Sequence, residues 1–187
     1  MNKDRTKRIT FLGLMIGLVI VMSVFPFVGY IPFGPISITI IHIPVLIGAY
    51  KYKTFGGFVM GLAFGISSFL IGVIRPQTIM DAFFINPLVS ILPRVLYGTL
   101  TGLLFSLNSK DNDLFSGFIC IVTTLIHTIL VMSSLYICYL PDVLSMYPTV
   151  SLIGFVSLFL INGLLEGIVG AIITVIVIRL IRKQRKK

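Results

Sequence analysis

Charged residues are scarce in this sequence, and acidic residues are the scarcest. Of the 187 residues, 11% are charged and only six are Asp or Glu, whereas 57% are hydrophobic and the mean hydropathy is +1.07. Soluble domains carry about 25% charged residues, because their surfaces face water. This composition excludes a soluble domain and predicts a single all-α domain, 1–187, integral to a lipid bilayer.

Catalytic and metal-binding motifs are also missing. No G-x-x-x-x-G-K-[ST] loop is present to hold the phosphates of ATP. Gly65 and Ser67, with His127 as a base, come nearest to a serine nucleophile, but the second glycine of G-x-S-x-G is absent and Ser67 is better explained as a packing residue. His42 and His127 have no H-E-x-x-H partners. We expect no enzyme, no metal and no cofactor.

Apolar runs separated by proline, glycine or charge predict six membrane-spanning helices in one bundle. The runs cover residues 9–25, 36–50, 55–73, 84–107, 114–140 and 152–181. A span needs about 20 apolar residues. The second run is short and contains Pro44, so a re-entrant segment is the alternative there.

The basic residues set the number of crossings. With six crossings, thirteen of the fifteen Lys and Arg residues fall on one side, and Arg75 and Arg94 are the exceptions. With five crossings the basic tail would lie outside, against the positive-inside rule. Both termini are therefore expected in the cytoplasm, with outer loops at 26–35, 74–83 and 141–150. Basic residues confined to flanks also exclude nucleic acid as a partner.

Polar side chains interrupt the last three predicted spans. Arg94, His127 and Asn162 lie at similar depths below the outer surface at about 1.5 Å per residue, and Glu166 lies one turn deeper on the same face as Asn162. Polar groups in hydrocarbon are costly, so these residues predict a binding pocket. The alternative is that they pair with each other and stabilise the packing between helices, for instance Arg94 with Glu166.

Three further side chains are candidates for this pocket. Tyr97 shares a helical face with Arg94 and can form an aromatic wall, although core packing explains it equally well. His42 and Asn86 lie nearer the outer surface. Asn86 precedes Pro87, so it can bind a ligand or cap the fourth helix. For His127, a neutral imidazole bonded to a backbone carbonyl is the alternative to ligand contact.

The first helix carries Gly13 and Gly17, a G-x-x-x-G pair that lets another helix approach closely. A partner helix is one interpretation of this pair. Other glycines can serve packing within the chain, namely Gly56, Gly57, Gly61, Gly65, Gly163, Gly167 and Gly170.

Two stretches carry a family resemblance. Residues 38–49 (ITIIHIPVLIGA) and 86–98 (NPLVSILPRVLYG), with the glycine-rich third helix, resemble the substrate-binding S components of energy-coupling factor (ECF) transporters. The pair T-I-I-H-I-P and N-P-L-V-S-I-L-P-R is most similar to pantothenate-type members. The likeness covers the chain to about Leu107 and rests on topology beyond it.

The resemblance implies a vitamin importer subunit in the plasma membrane without its own ATPase. A transmembrane coupling subunit would dock on the small-residue face of helix one, at Gly13 and Gly17, and two cytoplasmic ATP-binding subunits would drive release inward. Many members have alanines at these two positions, so the chain keeps small residues but departs in identity.

The resemblance also implies roles in the pocket. Arg94 would bind the pantothenate carboxylate, while Asn86, His127 and Asn162 would meet its hydroxyls and amide, beneath a lid formed by loops 26–37 and 74–83. Two alternatives stay open. One is an S component for a folate-, cobalamin-, riboflavin- or thiamine-type vitamin, and the other is a structural membrane protein with no ligand.

Overall fold

The computed structural model describes residues 3–25, 29–33, 36–74, 76, 79–108, 111–146 and 152–185. Its elements in chain order are α1 (Lys3–Val24), β1 (Tyr30–Phe33), β2 (Ile36–Thr39), α2 (Ile43–Ile74), a 3-10 helix (Ile79–Ile85), α3 (Pro87–Ser90), α4 (Leu92–Leu107), α5 (Asp113–Met146) and α6 (Leu152–Arg185).

Helices long and apolar enough to cross a membrane dominate this part of the chain. Five such segments are present in it: Lys3–Val24, Ile43–Ile74, Pro87–Leu107, Asp113–Tyr139 and Phe159–Gln184. The prediction of a helical, membrane-integral protein is therefore confirmed.

Strands β1 and β2 form an antiparallel hairpin between α1 and α2, with Tyr30 opposite Thr39. The expectation of one helix over 36–50 is wrong, because residues 36–39 are a strand and the helix begins at Ile43, although the other described elements are helical. Pro44 explains the later start, since proline is tolerated in the first turn of a helix but not in its interior. The β-branched residues before it favour an extended chain.

Helix α2 reverses direction within its bounds. Tyr52 and Lys53 have non-helical backbone angles, and Lys53 has φ 54°. A Cβ built on Gly48 would lie 2.5 Å from Cγ of Met60, although residues twelve apart in a straight helix are separated by about 18 Å. Residues 43–51 therefore fold back against residues 54–74.

Glycines bring α2 and α4 into backbone contact. A Cβ on Gly57 would strike the carbonyl of Gly98, one on Gly61 would strike the backbone of Arg94, and one on Gly65 would meet Ile91. Such small-residue stripes let membrane helices pack closely. The prediction that these glycines serve internal packing is confirmed, and the stripe places Arg94 directly against α2.

Gly13 and Gly17 on α1 have different surroundings. A Cβ built on either one meets no atom within 4 Å. The face of α1 that carries the two glycines is therefore not packed against the described residues of the chain.

A charged cluster ties α6 to the start of α5 and to the reversal in α2. The carboxylate of Asp113 accepts hydrogen bonds from Arg179 Nε at 2.7 Å and Arg182 Nη1 at 2.6 Å. Arg182 Nε also donates to the hydroxyl of Tyr50 at 3.1 Å. Since Tyr50 directly precedes the reversal, these three segments lie at one end of the bundle.

The basic flank of α1 lies at the same end. The guanidinium carbon of Arg8 is 4.5 Å from the centre of the Phe55 ring, and Lys51 Nζ is 3.6 Å from the centre of the Phe11 ring. Lys51 and Phe55 flank the reversal in α2. The basic ends of the first and last helices therefore share one end of the bundle, and the β-hairpin lies toward the other. Arg75 is outside the described residues.

Candidate functional site

The segment that carries Arg94 consists of two consecutive helices, α3 and α4, and the first is capped at its N-terminus. The side-chain oxygen of Asn86 accepts a hydrogen bond from the amide of Leu88 at 3.0 Å, which caps α3. Helix α3 ends at Ser90, and α4 begins at Leu92. Of the two interpretations of Asn86, the structure shows the cap.

Arg94 is a buried cation. Its side chain is only 6% exposed, and Nη1 donates to the backbone oxygen of Val89 at 2.5 Å. The guanidinium carbon lies 4.6 Å from the centre of the Phe84 ring and 5.6 Å from that of Phe64. Aromatic faces attract a cation electrostatically, and more strongly where water is excluded. The two rings therefore help to offset the cost of burying this charge.

Tyr97 and His127 lie beside this arginine. Tyr97 is fully buried, and its ring centre lies 4.8 Å from that of His127. The Phe64 ring is 5.8 Å from the same imidazole. Within the described part of the chain, the buried Nε2 of His127 has no hydrogen-bond partner. A buried polar atom of this kind calls for a partner such as a ligand or water.

Glu166 holds the β-hairpin rather than Arg94. Its Oε1 accepts from the backbone amide of Thr39 at 2.7 Å and from Asn162 Nδ2 at 3.3 Å. Glu166 is 8% exposed, so these bonds are sheltered from water. Between Arg94 and Glu166 the described contacts include no ion pair.

His42 packs into α6 close to this carboxylate. It is 2% exposed, and a Cβ built on Gly170 would lie 2.5 Å from its Nε2. Gly170 is four residues after Glu166, which places both on one face of α6. The glycine therefore makes room for the imidazole against the helix.

The structure brings the candidates together in two adjoining groups. Arg94, Tyr97 and His127 form the arginine group. His42, Asn162 and Glu166 form the hairpin group. The groups adjoin because α6 packs against α5 at this level: a Cβ built on Gly163, next to Asn162, would strike the side chain of Thr128, next to His127.

Several residues that contact the predicted site residues in the structure were not predicted from the sequence. Phe64 and Phe84 flank the guanidinium, and the Val89 carbonyl and the Thr39 amide anchor the two polar groups. One sequence signal was present for Val89, because a proline directly before Arg94 leaves a carbonyl without its usual donor. The aromatic partners carry no such signal.

The predicted lid lies only partly within the described residues. Residues 26–28, 34–35, 75 and 77–78 are outside them, while strands β1 and β2 and the 3-10 helix Ile79–Ile85 are described. The lid role stays a prediction.

Known proteins resemble this chain over most of its length. The family described as "ECF transporter, substrate-specific component" matches residues 7–181. The chain is 24% identical over 202 residues to the pantothenic acid transporter PanT of Lactococcus lactis subsp. cremoris, covering 99% of this chain and 98% of that protein. It is 27% identical over 138 residues to the pantothenate transporter PanT of Leuconostoc mesenteroides, covering 69% and 68%.

These matches confirm the resemblance found in the sequence. An S component serves a substrate and works within an ECF transporter complex that has membrane and ATPase subunits, so the chain is a transport subunit and not an enzyme. The alternative of a structural membrane protein without a ligand is set aside. Because the family match spans nearly the whole chain, the protein belongs to the substrate-specific components of ECF transporters.

Proposed function

We propose that this S component binds pantothenate from outside the cell and releases it to the cytoplasm when the ECF complex reorients it. The observation that carries the proposal is a buried cation, Arg94, beside His127, whose Nε2 has no hydrogen-bond partner among the described residues. The names of the two relatives, both pantothenate transporters, agree with it.

The chemistry of pantothenate suits these side chains. The vitamin has one carboxylate, together with hydroxyls and an amide. A guanidinium pairs with a carboxylate through two parallel hydrogen bonds, and such charge-assisted bonds are stronger than neutral ones. Arg94 would bind the carboxylate, whereas His127 and Tyr97 would form hydrogen bonds with the neutral hydroxyl and amide groups of the vitamin.

The hairpin group has a supporting part in this proposal. Glu166 is engaged with the Thr39 amide and with Asn162, and a second carboxylate would repel that of the vitamin. Asn162 on α6 and His42 at the end of the hairpin would border the bound vitamin. The hairpin itself would close the site on its outer side, as the lid prediction requires.

The proposed topology has six crossings and cytoplasmic termini in the plasma membrane. The reversal at Lys53 supports it, because residues 43–51 with the preceding hairpin then make a crossing separate from residues 54–74. The shared charged end of α1, α2, α5 and α6 supports the orientation, since basic flanks favour the cytoplasmic side.

The coupling subunit is proposed to dock on α1 at Gly13 and Gly17. A small-residue stripe permits close helix approach, and this one is not used by the described residues of the chain. Two ATP-binding subunits would act through that coupling subunit.

Calorimetric titration of the detergent-solubilised chain with pantothenate tests the proposed substrate. Arg94→Ala is expected to weaken binding by at least about tenfold, because a charge-assisted bond contributes about 1.5–3 kcal/mol. Arg179→Ala is the matched control, since Arg179 is an exposed arginine at the charged end, and it should bind as the parent does. Equal affinity of the Arg94→Ala variant and the parent would overturn the carboxylate assignment.

Competition with other vitamins separates the substrates. Unlabelled pantothenate should displace labelled pantothenate, whereas folate, cobalamin, riboflavin and thiamine should not. Displacement by one of these at lower concentration than pantothenate would replace the proposed substrate.

A further inference from the structure

The backbone carbonyl of Val89, in the short helix before Arg94, accepts a hydrogen bond from a side chain. Val89 lies in the last turn of α3, and α4 begins at Leu92. If α3 continued into α4 without a break, the amide of residue 93 would donate to the carbonyl of Val89. Residue 93 is proline, which has no N–H. The backbone bonds resume with the amide of Val95, which donates to Ile91 at 3.0 Å.

The guanidinium of the next residue occupies this position. Arg94 Nη1 donates to the Val89 oxygen at 2.5 Å, and Val89 is fully buried. A buried carbonyl without a donor carries a desolvation penalty. Long side chains on a helix point back toward its N-terminus, so Arg94 reaches back from α4 to the open carbonyl in α3.

We propose that Pro93 is a positioning residue for Arg94: by leaving the Val89 carbonyl open, it fixes the guanidinium between Phe64 and Phe84. This inference rests on the proposed function of Arg94 as the partner of the carboxylate. A guanidinium carries its donors in a planar fork, so a bond at one end sets the direction of the whole group. An amide at position 93 would compete with the guanidinium for the Val89 oxygen.

The chain offers a matched control for this proline. Pro87 stands in the first turn of α3, as Pro93 stands in the first turn of α4. Both prolines suit a helix start, but the residue four places before Pro87 is Phe83, whose carbonyl accepts from the amide of Asn86 at 3.3 Å. Pro87→Ala therefore changes a helix start without changing the anchor of Arg94.

Two ligands separate a positioning role from a structural one. Pantothenate carries the carboxylate, and panthenol has a hydroxyl in its place. Pro93→Ala should raise the Kd for pantothenate at least about fivefold while the Kd for panthenol stays within about twofold. Pro87→Ala should change neither Kd. If Pro93 only shapes the helix, both ligands should weaken together in Pro93→Ala.

A double-mutant cycle tests the route of the effect. In an Arg94→Ala background, Pro93→Ala should cause no further loss of pantothenate binding, because the two changes act through one group. Should Pro93→Ala fail to fold, Pro93→Ser supplies the same amide with a residue suited to a helix start.

The possible results are distinct. The inference is overturned by parental pantothenate affinity in folded Pro93→Ala, by equal losses for the two ligands, or by an undiminished loss in the Arg94→Ala background. Failure of the proposed function has another signature, in which the parent does not prefer pantothenate to panthenol or Arg94→Ala does not weaken pantothenate binding. That result would also remove the basis of the inference.

Discussion

The backbone amide of Thr39 donates to the carboxylate of Glu166 at 2.7 Å, joining residues 127 positions apart in the chain. Thr39 ends strand β2, and Glu166 lies in the middle of α6. The bond therefore fastens the β-hairpin to the last helix, beside the arginine group. Asn162 donates to the same oxygen at 3.3 Å and helps to hold the carboxylate in place.

Removing this carboxylate should loosen the hairpin. Glu166→Ala leaves the Thr39 amide without its acceptor, at a cost of about 1–3 kcal/mol for a buried group. Hydrogen exchange at Thr39 should accelerate and the melting temperature in detergent should fall. Glu166→Gln keeps an acceptor oxygen and should lie between the parent and Glu166→Ala. Unchanged protection of Thr39 in Glu166→Ala would show that this bond does not fasten the hairpin.

The glycine stripe between α2 and α4 should tolerate no side chain. Gly57→Ala places a methyl group against the backbone of Gly98, and overpacking of this kind costs about 1–3 kcal/mol. Thermal unfolding in detergent should show the loss. Gly13→Ala is the control, because a Cβ there meets nothing. Equal melting temperatures for the two variants would contradict the close approach of the helices.

The stripe on α1 should matter for assembly and not for binding. Gly17→Leu would place a large side chain on the proposed docking face, which should prevent co-purification with the coupling subunit. Pantothenate affinity of the isolated chain should be unchanged, since a Cβ at Gly17 meets no atom of the described residues. Leu18→Ala, at an exposed neighbouring position, is the control. Normal assembly of Gly17→Leu would place the docking face elsewhere.

The orientation can be read by cysteine labelling in cells. In a background with Cys120 and Cys138 replaced by alanine, Lys183→Cys should react with a membrane-impermeant maleimide only after permeabilisation. Pro76→Cys, at an exposed position after α2, should react in intact cells. Labelling of Lys183→Cys in intact cells would reverse or break the six-crossing topology.

Hydropathy and charge predicted the helical, membrane-integral chain, and the motifs of residues 38–49 and 86–98 predicted its family. The helix assigned to 36–50 was wrong because hydropathy does not separate an apolar strand from an apolar helix. Pro44 was the available signal, since proline is tolerated in the first turn of a helix but not in its interior. The reversal at Lys53 falls in the gap between the predicted runs 36–50 and 55–73, which contains two lysines.

The polar candidates could be found by their cost in hydrocarbon, but their partners could not. Helical spacing placed Glu166 near Asn162, as observed, because both lie on one helix. The bond from Thr39 to Glu166 depends on how the hairpin packs against α6, which no local pattern encodes. The cap at Asn86 was readable, because asparagine before Pro87 is a typical helix start.

Mass spectrometry of the small molecule that co-purifies with the detergent-solubilised chain tests the central claim most directly. The parent protein should carry pantothenate, and Arg94→Ala purified in the same way should carry little or none, while Arg179→Ala should carry as much as the parent. A different vitamin on the parent, or undiminished pantothenate on Arg94→Ala, would contradict the assignment of the buried arginine to the pantothenate carboxylate.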